Sequence, residues 1–225
     1  RSFVKYVSNL SVRKQFKAIA ANVDKLIWPP RSLVSGQAVP GPGLIEAEHW
    51  KDFDFITGPV CVICGVPFKL DVGEDQQCPA CIARPPHFDS ARAALAYNDA
   101  SRKIILRFKH SGDRTGLNLM VSWIVQAMPE MIAKADLILP VPLHYSRLIQ
   151  RGFNQSVWLA AGLSRASKTK MLHHGVKRVR ATPSQAGRSA SGRRRNVQGA
   201  FAVSARAAER IQGKHILLVD DVFTT

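Results

Sequence analysis

Acidic residues are scarce in this sequence. Sixteen Asp and Glu stand against 32 Lys and Arg in 225 residues, leaving a formal net charge of +16 and a pI near 10.3. That balance excludes an acidic disordered chain and favours polyanionic partners such as phosphate esters or nucleic acid. Long hydrophobic runs are missing too. No stretch of 18 apolar residues occurs, so no transmembrane segment is expected. The first 30 positions lack the charged start, apolar centre and small-residue cut site of a secretion signal, which predicts a cytoplasmic protein. Glycine and proline, 15 and 13 residues, are too few for a collagen-like or low-complexity chain, and a hydrophobic fraction of 46% is enough for a buried core in one or two domains. The chain begins at Arg1 and stops at Thr225 directly after a strand pattern, so both ends are expected to be cut ends.

Periodicity divides the chain at two places. Over 3–27, Val4, Val7, Leu10, Phe16, Ile19, Val23 and Leu26 recur at roughly helical spacing until Trp28-Pro29-Pro30, predicting a basic amphipathic N-terminal helix within 1–28 whose apolar side packs on its own protein. A cysteine-bearing region, 29–88, follows. From 89 to 225 short apolar runs alternate with helical stretches. Strands are expected at 91–97, 137–141, 176–179 and 216–219, the last of a fully buried type, and helices at 101–110, 117–135 and 154–165. Strands spaced by helices predict an α/β fold with a mostly parallel sheet flanked by helices, whose ligands sit beyond the carboxyl ends of the strands.

Cysteine is rare and confined. The four residues form Cys61-x-x-Cys64 and Cys78-x-x-Cys81, with 13 residues between the pairs and turn formers Gly65, Pro67, Gly73 and Pro79 around them. Two such knuckles offer four thiolates to one tetrahedral Zn²⁺, leaving no position for water, so the expected metal is one structural zinc. Paired disulfides or a redox dithiol are the competing readings, disfavoured without an export signal. Upstream, Ser32, Ser35, Glu46 and His49 stand in the outline of a second ribbon. Serine hydroxyls are poor zinc ligands at neutral pH, so this segment reads as a ribbon without its metal.

The last strand pattern, 216–219, runs into Asp220-Asp221 and then Thr224-Thr225. Paired carboxylates can accept from vicinal ribose hydroxyls, and hydroxyls with free backbone N–H groups suit a 5′-phosphate. Acids at a strand end also bind Mg²⁺. Between Leu137 and His215 there are 15 Lys or Arg and one acid, Glu209. Fixed cations there would stabilise a departing pyrophosphate. The same charge could hold single-stranded nucleic acid, with Phe153, Trp158 and Phe201 as stacking faces unless they belong to the core.

Two strings carry a resemblance. Pro140-Val141-Pro142-Leu143-His144-Tyr145-Ser146-Arg147 and Arg151-Gly152-Phe153-Asn154-Gln155 resemble the pyrophosphate-loop region of the ComF family, which joins N-terminal zinc ribbons to a type I phosphoribosyltransferase-like domain and is associated with competence for DNA uptake. Phe108-Lys109-His110 with Gly112 and Asp113 resembles a second family segment, and Thr182 with Gln185 through Arg193 its mobile loop. The resemblance covers about 27 to the end. It implies that Asp220 and Asp221 accept from the ribose hydroxyls of phosphoribosyl pyrophosphate bound with Mg²⁺, that Thr224 and Thr225 open a 5′-phosphate loop left incomplete at the C-terminus, and that Pro140, Pro142, Arg147, Arg151, Asn154, Gln155 and Arg193 form the pyrophosphate loop and its basic rim. The family usually carries cysteines where Ser32, Ser35, Glu46 and His49 stand, which implies one zinc here instead of two. The implied function is support of DNA uptake, natural transformation or recombination, with DNA-uptake machinery as partner and phosphoribosyltransferase chemistry toward an acceptor that no residue identifies. The alternative is a non-catalytic single-stranded DNA-binding module with a sensory or vestigial phosphoribosyl pocket.

Overall fold

The computed structural model describes residues 29–70, 73, 75–110, 112–182 and 197–223. The expected helix over 3–27, Arg193, Thr224 and Thr225 lie outside the described residues. The chain divides into two compact units, 1–50 and 51–225.

In the first unit the backbone makes a knuckle. Ser32 N–H donates to the Gln37 carbonyl at 2.8 Å, Gly36 N–H to Ser32 at 3.2 Å and Val39 N–H to Pro30 at 2.8 Å, with a bridge between Arg31 and Ala38 and Gly36 at φ 76°. The second unit opens with the same knuckle 29 residues on. Cys61 N–H donates to Val66 at 2.9 Å, Gly65 N–H to Cys61 at 2.8 Å and Phe68 N–H to Pro59 at 2.9 Å, with a bridge between Val60 and Pro67 and Gly65 at φ 70°. A side chain at Gly65 would also stand 2.5 Å from the Ala91 carbonyl oxygen, so both conformation and space require glycine there.

The rest of the second unit is a mixed α/β layer structure. Helices α1 (Pro79–Ala83), α2 (Asp99–His110), α3 (Leu117–Ala127) and α4 (Pro129–Lys134) precede strand β1 (Leu137–Pro140); α5 (Tyr145–Arg151) and α6 (Gln155–Ser167) lead to β2 (Lys170–Met171). A hairpin, β3 (Val176–Arg178) and β4 (Phe201–Val203), then α7 (Ala205–Ile211) and β5 (Ile216–Val219) complete it. β2, β1 and β5 form a parallel sheet in that order, whereas β3 and β4 pair antiparallel in a separate ribbon. The central strand β1 is buried throughout, as expected for a parallel strand covered on both faces. Ile138 joins Leu217 and Val219 in a core with α2, α3 and α6, while Leu137 and Leu139 point the other way to Leu172, Val176 and Ile211.

Three expectations change. The helix over 117–135 is two helices, because Pro129 removes an N–H donor and α4 restarts from it; the Met128 N–H closes α3 on Ile124. The strand over 91–97 is reduced to a bridge between Phe55 and Leu95: Ile56 N–H to Ala94 and Ala96 N–H to Asp54 pair one part, while Ala91 N–H turns to a different partner, the Ile63 carbonyl. β5 is buried on one face only: Leu218 is 57% exposed, because no layer covers that face among the described residues.

Helix α2 follows from its sequence. Ala100, Ile104 and Phe108 are buried at four-residue spacing, one stripe of a helix. Asn98 Oδ1 accepts from Ser101 N–H and Ser101 Oγ accepts from Asn98 N–H, a reciprocal cap. Asp99 opens the helix and Arg107, Lys109 and His110 close it, each charge complementing the helix dipole. Helix α6 starts at its own cap, Asn154, whose side chain accepts from Ser156 N–H.

Candidate functional site

The thiols of Cys61, Cys64, Cys78 and Cys81 are all buried, and their sulfurs lie within 4.8 Å of one another. Cys64 Sγ and Cys78 Sγ are 3.7 Å apart, too far for a disulfide and close to the ~3.8 Å between ligands of a tetrahedral site with Zn–S bonds of about 2.3 Å. Burial opposes ionisation of Cys61, yet the backbone N–H groups of Cys64, Cys78 and Ile63 outweigh it and bring the thiol down to about 6. Burial and the three neighbouring sulfurs push Cys81 up to about 12. One thiolate is favoured while a fourth is strongly resisted, a conflict a divalent cation resolves, so the donor set fits zinc. Arg92 ties the knuckle to the next segment by donating to the carbonyls of Cys61 and Val62.

The equivalent positions in the first unit are filled differently. Ser32 Oγ and Ser35 Oγ each donate to one oxygen of the Glu46 carboxylate, and His49 N–H bonds the Glu46 carbonyl at 3.0 Å as Cys81 N–H bonds Cys78. Those two hydroxyls hold Glu46 below the ordinary carboxylate range. A carboxylate bracketed by two hydroxyls crosslinks the two halves of this ribbon where four thiolates would have held a metal.

The second cluster lies at the carboxyl ends of the sheet. In the β1–β5 register Pro140 pairs with Val219, and Val141 N–H continues the ladder to Val219 at 2.9 Å. Asp220 therefore leaves β5 beside the Pro140–Pro142 turn. β1 continues to β2 on one side while β5 lies on the other, so strand order reverses in this crevice, the place where α/β sheets bind ligands. Asn154 donates to the Val141 carbonyl at 3.0 Å, fixing the turn to the start of α6, and Ser156 Oγ donates to Asp220 Oδ1 at 2.7 Å. Arg151 donates to Gln155 Oε1 at 2.7 Å, and among the described residues no hydrogen bond or ion pair joins it to either acid.

Asp221 is enclosed, with 6% side-chain exposure, and its Oδ2 faces Lys109 Nζ at 3.1 Å. Asp220 keeps solvent access, but the protein crowding its carboxyl, with the charge of Asp221, pushes it up to about 6; the Ser156 bond, the Asp221 N–H and the Lys109 charge oppose this. Asp113, from the segment that carries Lys109, is occupied locally by Thr115 N–H at 2.8 Å and Arg107 at 3.5 Å. Arg147, at the end of the Pro140–Arg147 string, donates to the Thr182 carbonyl at 2.8 Å.

Ser156 and Arg178 have no assigned role in the sequence, whereas Lys109 and Thr182 enter only as members of family-like segments, without a partner. A serine directly after the helix-capping pair Asn154-Gln155 was the signal available for Ser156. Nothing local reveals that Lys109 meets Asp221, because its partner is 112 positions away. The aromatic platforms are engaged elsewhere: Phe153 stacks on Trp158 with centroids 4.4 Å apart, Trp158 also meets Phe108, and the Arg114 guanidinium lies 4.1 Å from the Trp158 ring centroid.

A thiolate ribbon and a small parallel α/β sheet with paired acids at its carboxyl edge define the class of protein. Competence protein F of Haemophilus influenzae is 33% identical over 172 residues, spanning 74% of this chain and 73% of that protein. The DNA utilization protein YhgH of Escherichia coli K12 is 31% identical over 187 residues, 74% and 72% of the two chains, and Competence protein ComFC of Bacillus subtilis is 29% identical over 177 residues, 76% and 68%. The chain belongs to the ComF family. No family model matches, and no solved structure matches. Among the described residues no helix is long and apolar enough to cross a membrane.

Proposed function

We propose that this protein binds phosphoribosyl pyrophosphate, with Mg²⁺, in the crevice between β1 and β5, and acts in the uptake or use of DNA, as the names of its relatives indicate for those proteins. The observation that carries the reading is the register that sets Asp220 and Asp221 beside the Pro140–Pro142 turn. Two adjacent carboxylates, one accepting from Ser156 and one facing Lys109, are preset acceptors for a ribose diol. The turn, anchored by Asn154, supplies backbone for the pyrophosphate. Mg²⁺, when bound, neutralises the ligand's phosphates, while Asp220 and Asp221 orient the sugar. Thr224 and Thr225 complete the proposal at the 5′-phosphate and Arg193 at the rim. The acceptor of any transfer is not named by these residues. The single-stranded DNA alternative is weaker because Phe153 and Trp158 are spent on each other.

Calorimetric titration of the protein with phosphoribosyl pyrophosphate and Mg²⁺ tests the reading. Binding is expected, and Asp220→Ala with Asp221→Ala should abolish it while zinc content and helical signal persist. Unchanged affinity in that double variant would rule the pocket out.

A further inference from the structure

One family-like string has no part in the ligand contacts assigned above: Phe108-Lys109-His110 with Gly112 and Asp113. It closes α2 and turns away from it, and the fold clamps that turn from several directions. Phe108 is 1% exposed, and its ring centroid lies 5.6 Å from that of Trp158. Gly112, at φ 65°, passes so near Phe153 that a methyl group there would stand 3.0 Å from the ring. Arg114 covers a face of Trp158, and Asp113 is held by Thr115 and Arg107. The Phe153–Trp158 stack thus fixes the end of α2 against the start of α6, and Lys109 with it.

Lys109 leaves this clamp at the acid pair. Its Nζ lies 3.1 Å from Asp221 Oδ2, on a carboxylate with 6% side-chain exposure. No hydrogen bond reaches that oxygen among the described residues, so the ammonium charge, rather than an aligned donor, offsets its burial. An enclosed carboxylate without compensation is strongly unfavourable. Asp220 adds a second negative charge beside it, and its Oδ1 is occupied by the Ser156 hydroxyl and the Asp221 N–H. Among the described residues Lys109 is the one cation in an ion pair with either acid; Arg178 acts on Asp220 only from further off. Burial and the Asp221 charge raise Asp220, and Lys109 opposes them.

We propose that Lys109 is a positioning residue of the crevice: its ammonium, held by the aromatic clamp, fixes the enclosed Asp221 carboxylate and offsets the paired charge, so that both acids meet a ribose diol as preset acceptors. The role rests on the ribose reading for its ligand, but not for the pairing itself.

The test follows the acid pair by carboxyl carbon NMR in the ligand-free protein as pH is varied, and titrates phosphoribosyl pyrophosphate with Mg²⁺ calorimetrically over the same range, in wild type, Lys109→Met, Lys109→Gln and Lys109→Arg. Lys109→Met should move the pair's proton uptake upward from about 6, because a cation that opposes protonation is gone. Affinity at neutral pH should fall about ten-fold or more, the range for one interaction with a charged group, with part of the loss recovered as pH rises. Lys109→Arg should keep the wild-type midpoint and most of the affinity. A lysine that only fastens α2 would lower the melting point without moving the midpoint. Lys109→Gln serves should Lys109→Met fail to fold. In an Asp221→Asn background, where the enclosed charge is absent, Lys109→Met should fold, and failure to fold there too overturns the assignment. A wild-type midpoint in folded Lys109→Met or Lys109→Gln overturns it as well, as does a Lys109→Arg midpoint displaced as far as that of Lys109→Met. If wild type binds no phosphoribosyl pyrophosphate while the midpoint follows the charge at position 109, the ribose reading fails and the pairing stands. If Lys109→Met binds the ligand as tightly as wild type with an unmoved midpoint, the positioning role fails and the ribose reading stands.

Discussion

Asp220 sits in a position that works against its own charge. Its carboxyl is crowded by protein and lies next to the charge of Asp221, and these push it up to about 6, above the ordinary carboxylate range. The folded state therefore binds more protons than the unfolded chain between about pH 4 and pH 6, and stability falls as pH rises through that window. Above it the loss is complete and constant. Asp220→Asn removes the ionisation while keeping an acceptor for Ser156 Oγ. The variant is expected to match wild type in thermal melts near pH 4 and to exceed it above pH 6, by less than about 2 kcal/mol because solvent access screens the carboxyl. An increment that does not change with pH would refute the assignment. Under the ligand proposed above, an acid held at a cost in stability belongs to the binding site, and the same variant should then bind phosphoribosyl pyrophosphate more weakly.

At the scale of elements, the sequence is most legible where one stripe or one spacing decides the outcome. The Cys-x-x-Cys knuckles, α2 with its four-residue stripe and β1 with its unbroken apolar run all follow from local pattern. The short helices α5 and α7, which expose most of their residues, leave no stripe to read, and the two-residue β2 exists through its pairing with β1. The acids of the site were visible in sequence, but their company was not: Ser156 and Lys109 reach them only through the fold. Helix contact adds a constraint equally invisible to periodicity. Gly162, in α6, faces α3 so closely that a methyl group there would stand 2.5 Å from Val121 Cγ2. Valine is β-branched and stiff at χ1, so it cannot swing aside without repacking. Gly162→Ala is expected to destabilise by about 1–3 kcal/mol despite the better helix propensity of alanine, measured by urea denaturation. A neutral or stabilising change would show that α3 and α6 can separate without loss.

For the molecule as a whole, the two ribbons each repeat one pattern of backbone hydrogen bonds but differ in side-chain chemistry, and metal content follows from the difference. The second ribbon gathers four buried thiols, and its Cys61 and Val62 carbonyls receive Arg92. Asn98, six residues on, both caps α2 and donates to the Asp52 carbonyl and the Asp54 carboxylate. α2 in turn carries Lys109 to Asp221. A continuous run of bonds thus joins the ribbon to the helix that supports the acid pair. The first ribbon has a carboxylate between two hydroxyls in place of thiolates, and protonated hydroxyls do not compete for Zn²⁺ at neutral pH. One zinc per chain is therefore expected by atomic absorption, falling to none in Cys61→Ser, whose melting point should drop because metal binding there contributes folding free energy on the order of 10 kcal/mol. Replacing Ser32, Ser35, Glu46 and His49 together by cysteine should raise the content to two, because the backbone of that knuckle already matches its thiolate counterpart bond for bond. A wild-type content of two would show that Glu46 and His49 already ligate a metal, and the hydroxyl-bracketed carboxylate would then be the wrong description of the first ribbon.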